Sequence, residues 1–390
     1  MFYMMGILPD YKINYIACFV VLLLICISQK ALKPHKTIFM LILVQCLTWA
    51  IYSVIHLDTA YFTRIFYLMI VYLLLSLVYK RRETINYIEL FNGWCLLQAL
   101  LGTIGVLLVL LNILQPISTF IEMDGNLGYN FGLFTTKTYF GGLVRNGGFF
   151  DEPGALAFWG VIALLMNKVF IGNRKIENLL LIGLISTFSM AYFIQVAMYF
   201  MLFNRGTKIK TTIVSVGLFS LLLYFFVSFN EDLNEAILGR FLFDSSTGQF
   251  EGDNRSDLAE VSFHYFKQAP LFGNGATGMI TISERIGEFV GSNPFTLLAV
   301  DGIIGYGIAL LPFFVVLLKK SRNKYILYSW LIILAGFLQR PYDSTQLLYP
   351  LSIYLFLQAE LIFDKTNNYP VSYGKVKSTR IKDCSSFCSL

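Results

Sequence analysis

Between Gly141 and Phe158 the chain reads GGLVRNGGFFDEPGALAF. One arginine, Arg145, sits among four glycines, and two adjacent carboxylates, Asp151 and Glu152, come just before Pro153. The glycines open backbone conformations that other residues avoid. Proline suits the first turn of a helix, and the apolar run after it predicts one. The unpaired amides of that turn carry partial positive charge and favour carboxylates. These residues predict a charged cluster at the mouth of a helix. A carboxylate held there tends to remain ionised, so Arg145 and Glu152 can form a pair with a chemical role. The alternative is a plain Arg145–Glu152 ion pair that pins the loop.

Other apparent motifs carry less. Gly273 to Gly278 matches GxGxxG, but no strand precedes it and no βαβ unit surrounds it, as a dinucleotide site requires. His264 is a candidate base, against the alternative of a solvated or hydrogen-bonded histidine. His35 and His56 sit in short turns as ordinary polar residues. There is no HExxH, no cluster of Cys and His, and no DxD in the longer polar loops, so neither a metal nor a cofactor is expected. Cys18, Cys26, Cys46 and Cys95 lie in apolar runs and read as core residues.

The elements that position these residues are membrane helices. The 390 residues are 56% hydrophobic and only 14% charged, where a soluble domain carries about 25% charge. Repeated apolar runs are long enough to cross a bilayer. Spans are expected at 13–28, 37–55, 61–79, 91–114, 154–170, 211–229, 294–318, 325–339 and 345–363. The segment 177–203 has the length of one helix. A single crossing would separate Lys168, Arg174 and Lys175 from Arg205, Lys208 and Lys210, which the positive-inside rule places together. Two half-spans that break near Thr187 and Ser189 solve this, provided protein buries the break. Six inner segments then hold 21 of the 30 Lys and Arg. The predicted fold is all-α: a polytopic membrane domain, residues 1–364, of about 10–12 helices, with a basic cytoplasmic tail, 365–390. The N-terminus falls outside. Two long outer loops, 116–153 and 230–293, hold the polar chemistry. The second is expected to contain a helix at about Arg255 to Gln268, capped by Asn254. The net charge of +6 follows from membrane sidedness and does not point to nucleic acid.

Arg145 to Gly154 resembles the R-x-x-G-x-F-x-E-P-G signature of the O-antigen polymerase and ligase superfamily. Three further stretches are similar in the same order. Ser186-Thr-Phe-Ser189 resembles the family's Thr/Ser-rich helix break. Asn254-Arg255, followed by Pro270-Leu-Phe-Gly273-Asn-Gly275, resembles its outer-loop arginine helix and P-L-F-G-x-G end. Ser292-Asn293 through Asp301-Gly302-Ile-Ile-Gly305 resembles its H-N segment and G-I-I-G. The resemblance covers about residues 140–310. Ser292 stands where the ligases carry histidine, which counts against ligation of glycan to lipopolysaccharide.

The resemblance implies a GT-C-type glycosyltransferase in a bacterial cytoplasmic membrane, acting at its outer face. The donor is a glycan on polyprenyl diphosphate; the acceptor is a hydroxyl of another lipid-linked repeat unit. Charge builds on the departing diphosphate, and fixed cations lower that barrier. Arginine binds phosphate oxygens in pairs. Arg145 and Arg255 are the implied cations, one from each outer loop, with Arg340 a third. Asp151, Ser292, Asn293 and His264 complete the implied substrate-binding set, with Glu152 among the catalytic residues. A flippase and a chain-length regulator are the implied partners. A glycan ligase is the alternative within the family, and a transporter of lipid-linked sugars the alternative outside it. A transporter predicts internal repeats and charges at the membrane midplane. No repeat is visible, and Arg64 and Asp301 are the charges that stand out, near span ends.

Overall fold

The structure, a computed structural model, describes residues 11–29, 35–111, 113–121, 127–132, 134–138, 144–150, 152–203, 243–244, 249–250, 255–286, 293–318, 323–339 and 347–366. It is mostly helical. Five stretches are long and apolar enough to cross a bilayer. They are α2 (Lys36–Ile55), α3 (Ala60–Leu77), most of α4 (Arg81–Leu110), α5 (Pro153–Met166) with the π-helical turn after it, and α10 (Thr296–Ala309) with α11 (Leu311–Leu318). Shorter apolar helices include α7 (Met190–Phe203), α12 (Lys324–Gln339) and the second half of α1 (Tyr11–Ser28). The last helix is α13 (Leu348–Thr366). The chain is a multi-pass membrane protein. Five qualifying helices among the described residues fall short of the ten to twelve expected; the predicted span 211–229 lies outside those residues.

α5 is the central helix. All fourteen of its residues, PGALAFWGVIALLM, are buried, as a helix apolar on every side must be. α4, α7, α12 and α13 pack around it. One end of the bundle carries Lys80, Arg81, Arg82, Lys168, Arg174 and Lys175. There Lys168 Nζ lies 2.8 Å from Glu177 Oε1, and Tyr199 donates to the same oxygen at 2.6 Å. The Arg81 guanidinium covers the Phe363 ring at 4.5 Å.

The break predicted near Thr187 and Ser189 is present. α6 (Arg174–Gly183) runs into a 3-10 turn, Leu184–Thr187; Phe188 turns left-handed at φ 44°, and α7 begins at Met190. The two legs return antiparallel: Tyr192 donates to the Leu181 carbonyl near the tip, and Tyr199 reaches Glu177 at the base. Arg174 and Phe203 therefore lie at the same end. Glycines let the tip approach its neighbours closely. A Cβ at Gly160 of α5 would lie 2.5 Å from Leu184, and one at Gly183 would lie 3.0 Å from Ala99 of α4.

At the opposite end the fold departs from the all-α expectation. The first long loop forms a four-stranded antiparallel sheet, β1 (Ser118–Ile121), β2 (Leu127–Asn130), β3 (Thr135–Thr138) and β4 (Val144–Gly148), in that spatial order. A two-residue pair, β5 (Phe243–Asp244) with β6 (Gln249–Phe250), forms in the second. The four-stranded sheet lies on the last turns of α4, where Gly102 and Gly105 leave room. A Cβ at either would fall within 2.0 Å of Asn146 or Phe134 respectively.

Candidate functional site

The Arg145 stretch is strand and turn, then helix. β3 aligns Lys137 with Arg145. Gly148, at φ +60°, turns the chain where a Cβ would press on Leu156 of α5. Glu152 takes the N-cap position of α5 in extended geometry, with Pro153 as the first helical residue, as expected. Its side chain does not cap the helix.

Arg145 faces the interior, with 8% of its surface exposed. Its Nε donates to the Thr187 carbonyl, 2.9 Å away at the tip of the broken hairpin. That bond fixes the plane of the guanidinium. Asn146 beside it is fully buried. Its Nδ2 donates to Ser186 Oγ at 3.1 Å and to the Ala99 carbonyl at 3.3 Å, and its Oδ1 accepts from the Gly148 amide at 2.8 Å. The Thr103 hydroxyl of α4 lies 2.9 Å from Ser186 Oγ. Strand β4, the hairpin tip and α4 thus share one polar joint, and the non-helical backbone of the tip finds its partners there. A guanidinium with a fixed plane next to the amide end of a buried helix is suited to holding an oxyanion.

A second joint gathers the later motifs. α8 (Arg255–Gln268) and α9 (Ala276–Ile286) flank the P-L-F-G-N-G stretch. Inside α10, Gly302 adopts φ 64°, ψ −172° and breaks the helix. The break releases backbone groups, and the stretch 270–275 takes them up. Asn274 and Gly275 amides donate to the Ala299 and Val300 carbonyls, and Ile303 and Ile304 amides donate to the Pro270 and Leu271 carbonyls. Gly273 and Gly302 permit this contact, since a Cβ at either would lie within 2.4 Å of a carbonyl oxygen. Beneath, Arg64 Nη1 meets Asp301 Oδ2 at 2.7 Å with both residues 1% exposed. Tyr61 donates to Asp301 Oδ1 at 2.9 Å, and Tyr52 donates to the Asp301 carbonyl at 2.6 Å. Asp58 accepts from the Ala60 and Thr277 amides, both at 2.8 Å, at the starts of α3 and α9. Burial opposes its charge, but those two amides, with the Thr277 side chain and the Arg64 charge, hold the carboxyl below its ordinary value.

The other expected residues are placed as follows. Arg255 is the first residue of α8, and its side chain lies outside the described residues. His264 is exposed on that helix, 3.0 Å from Gln268 Nε2. Asn293 is fully buried and fastens α8 to the start of α10: Nδ2 donates to Ser262 Oγ and the Leu258 carbonyl, and Oδ1 accepts from the Phe295 amide. Asp151, Ser292, Arg340 and Asn254 lie outside the described residues. Among the described residues, no three His, Cys, Asp or Glu side chains gather where they could hold a metal. Asn146 falls on an unspecified position of the R-x-x-G stretch, Thr103 lies in no motif, and nothing in the sequence pairs Arg64 with Asp301; what joins them is packing between distant segments.

The fold and these two joints define a multi-pass membrane protein with buried polar joints toward one end of its bundle. The chain matches no family model, no curated protein and no solved structure.

Proposed function

We propose that this protein is a membrane glycosyltransferase of the GT-C type that polymerises lipid-linked repeat units. The donor is a glycan on polyprenyl diphosphate. A hydroxyl of a second lipid-linked unit attacks the anomeric carbon, and the diphosphate leaves with its charge stabilised by arginine. The reaction takes place at the outer face of a bacterial cytoplasmic membrane, the face opposite the basic residues.

The observation that carries this reading is the joint at Arg145. Two stretches that resemble the polymerase and ligase superfamily, R-x-x-G-x-F-x-E-P-G and the Thr/Ser-rich break, meet there through the Arg145–Thr187 hydrogen bond. The later two stretches meet in the second joint. Arg145 orients the diphosphate, Glu152 directs the arginine or takes the acceptor proton, and Arg255 is the second cation.

The test uses purified protein in nanodiscs with lipid-linked repeat units and EDTA. A ladder of longer lipid-linked glycans is expected without added metal. Transfer of glycan only to a lipid or protein acceptor would identify a ligase. Movement of the units across the membrane with no new glycosidic bond would identify a transporter. Activity that stops in EDTA and returns with magnesium or manganese would refute the metal-free mechanism.

A further inference from the structure

We propose that Arg64 and Asp301 are a positioning pair that holds α10 open at Gly302 and thereby seats the loop 270–275 and α8. The inference rests on the glycosyltransferase reading only where it concerns activity. Two charges, each 1% exposed, are costly to keep in a membrane bundle. Stability alone does not call for them, because apolar residues of similar volume commonly replace such a pair without loss. The location of this pair supplies a different reason.

Asp301 is the residue immediately before the break. Its side chain and its carbonyl are both held from α2 and α3, by Tyr52, Tyr61 and Arg64. Arg64 is itself caged, its guanidinium carbon 4.7 Å from the Trp49 ring centre and 4.8 Å from that of Tyr61. Arg64 therefore has a fixed place from which to hold Asp301. With Asp301 fixed, the Ala299 and Val300 carbonyls and the Ile303 and Ile304 amides face the loop rather than each other. The loop then passes the constraint to α8, because Asn274 Nδ2 donates to both the Ala299 and Tyr265 carbonyls, at 2.9 and 3.1 Å. Asp58 adds a second tether by capping α9 just past the loop. Five segments of the chain converge on one carboxylate and its neighbours, and the helix that starts with Arg255 is the element they position.

Hydrogen exchange on the detergent-solubilised protein tests this without reference to substrate. In Asp301→Asn, the amides of Asn274, Gly275, Ile303 and Ile304 should exchange roughly tenfold faster or more, while those of α5 keep their protection. That variant leaves Arg64 charged and buried, so a second one, Arg64→Met with Asp301→Leu, removes both charges. It should accumulate to normal levels and still show fast exchange at the four amides. Unchanged exchange in the folded double variant would overturn the pair's role. So would equally increased exchange throughout α5, which would make the pair a general stabiliser. The activity arm is read separately: the double variant should yield shorter polymer at normal protein level. If the unsubstituted protein elongates nothing, the glycosyltransferase reading fails, and the exchange result for the pair still stands.

Discussion

The hydrogen bond from Arg145 to the Thr187 carbonyl joins two segments of the chain. Through Nε the arginine is tied to the hairpin tip, and that fixes where the planar fork points. Lysine would keep the charge and lose the fork. Arg145→Lys should therefore be nearly as damaging as Arg145→Ala, each lowering turnover on the order of 10² to 10³. Cells carrying either variant should accumulate single lipid-linked units while the protein remains inserted. Normal polymer length in an Arg255→Ala strain, at normal expression, would remove the second arginine from the site. Asp58 makes a prediction about pH. Its folded-state value is depressed below 3.8, so its stabilising contribution is complete above about pH 4 and is lost as pH falls through the depressed value. Thermal unfolding of Asp58→Asn should thus fall below the parent at neutral pH and converge with it in acid. Arg145 is legible in the sequence because glycine, carboxylates and proline surround it. Asn146 is not, being an ordinary letter in a strand whose importance comes from Ala99 and Ser186, at least forty residues away in the chain. The pairing of Arg64 with Asp301 spans 237 residues and leaves no local pattern.

At the scale of elements, the hairpin was legible and the sheet was not. Basic residues on both flanks of 177–203 force the chain back to its starting side, so charge alone locates the break. The four strands are four or five residues each, too short to set an alternating pattern against a loop background. The sheet packs on α4 through β4, and two glycines of that helix make opposite predictions. Gly102→Val would drive its side chain into Asn146. It should cost about 1–3 kcal/mol and disturb the Arg145 joint. Gly93 has nothing within 4 Å of an added Cβ, so Gly93→Ala should be neutral or gain about 0.5–1 kcal/mol. Thermal unfolding in detergent compares the two, and equal tolerance of both would show that the sheet does not seat on α4 as described.

For the molecule as a whole, the distribution of charge predicts sidedness. Lys175 and Gln268 are both exposed and lie at the basic end and on α8 respectively. Lys175→Cys should resist an impermeant thiol reagent added to intact cells, and Gln268→Cys should react. Reaction at both positions, or the reverse pattern, would contradict an outer site and an inner basic end.

The broken hairpin also constrains the order in which the protein can be built. Its tip exposes backbone that hydrocarbon cannot solvate. The partners for that backbone belong to α4 and β4, already synthesised when α6 emerges. Among the described residues, the far flank of the hairpin is closed by α12, where Gln195 Nε2 donates to the Ile332 carbonyl at 3.2 Å and rests against Gly336. During biosynthesis that contact must therefore wait for more than a hundred further residues. A nascent chain halted at residue 323 should leave a cysteine at Gln195 open to a membrane-permeant thiol probe. A chain extended through α13 should protect it. Protection already complete at residue 323 would mean that the hairpin is sealed without α12.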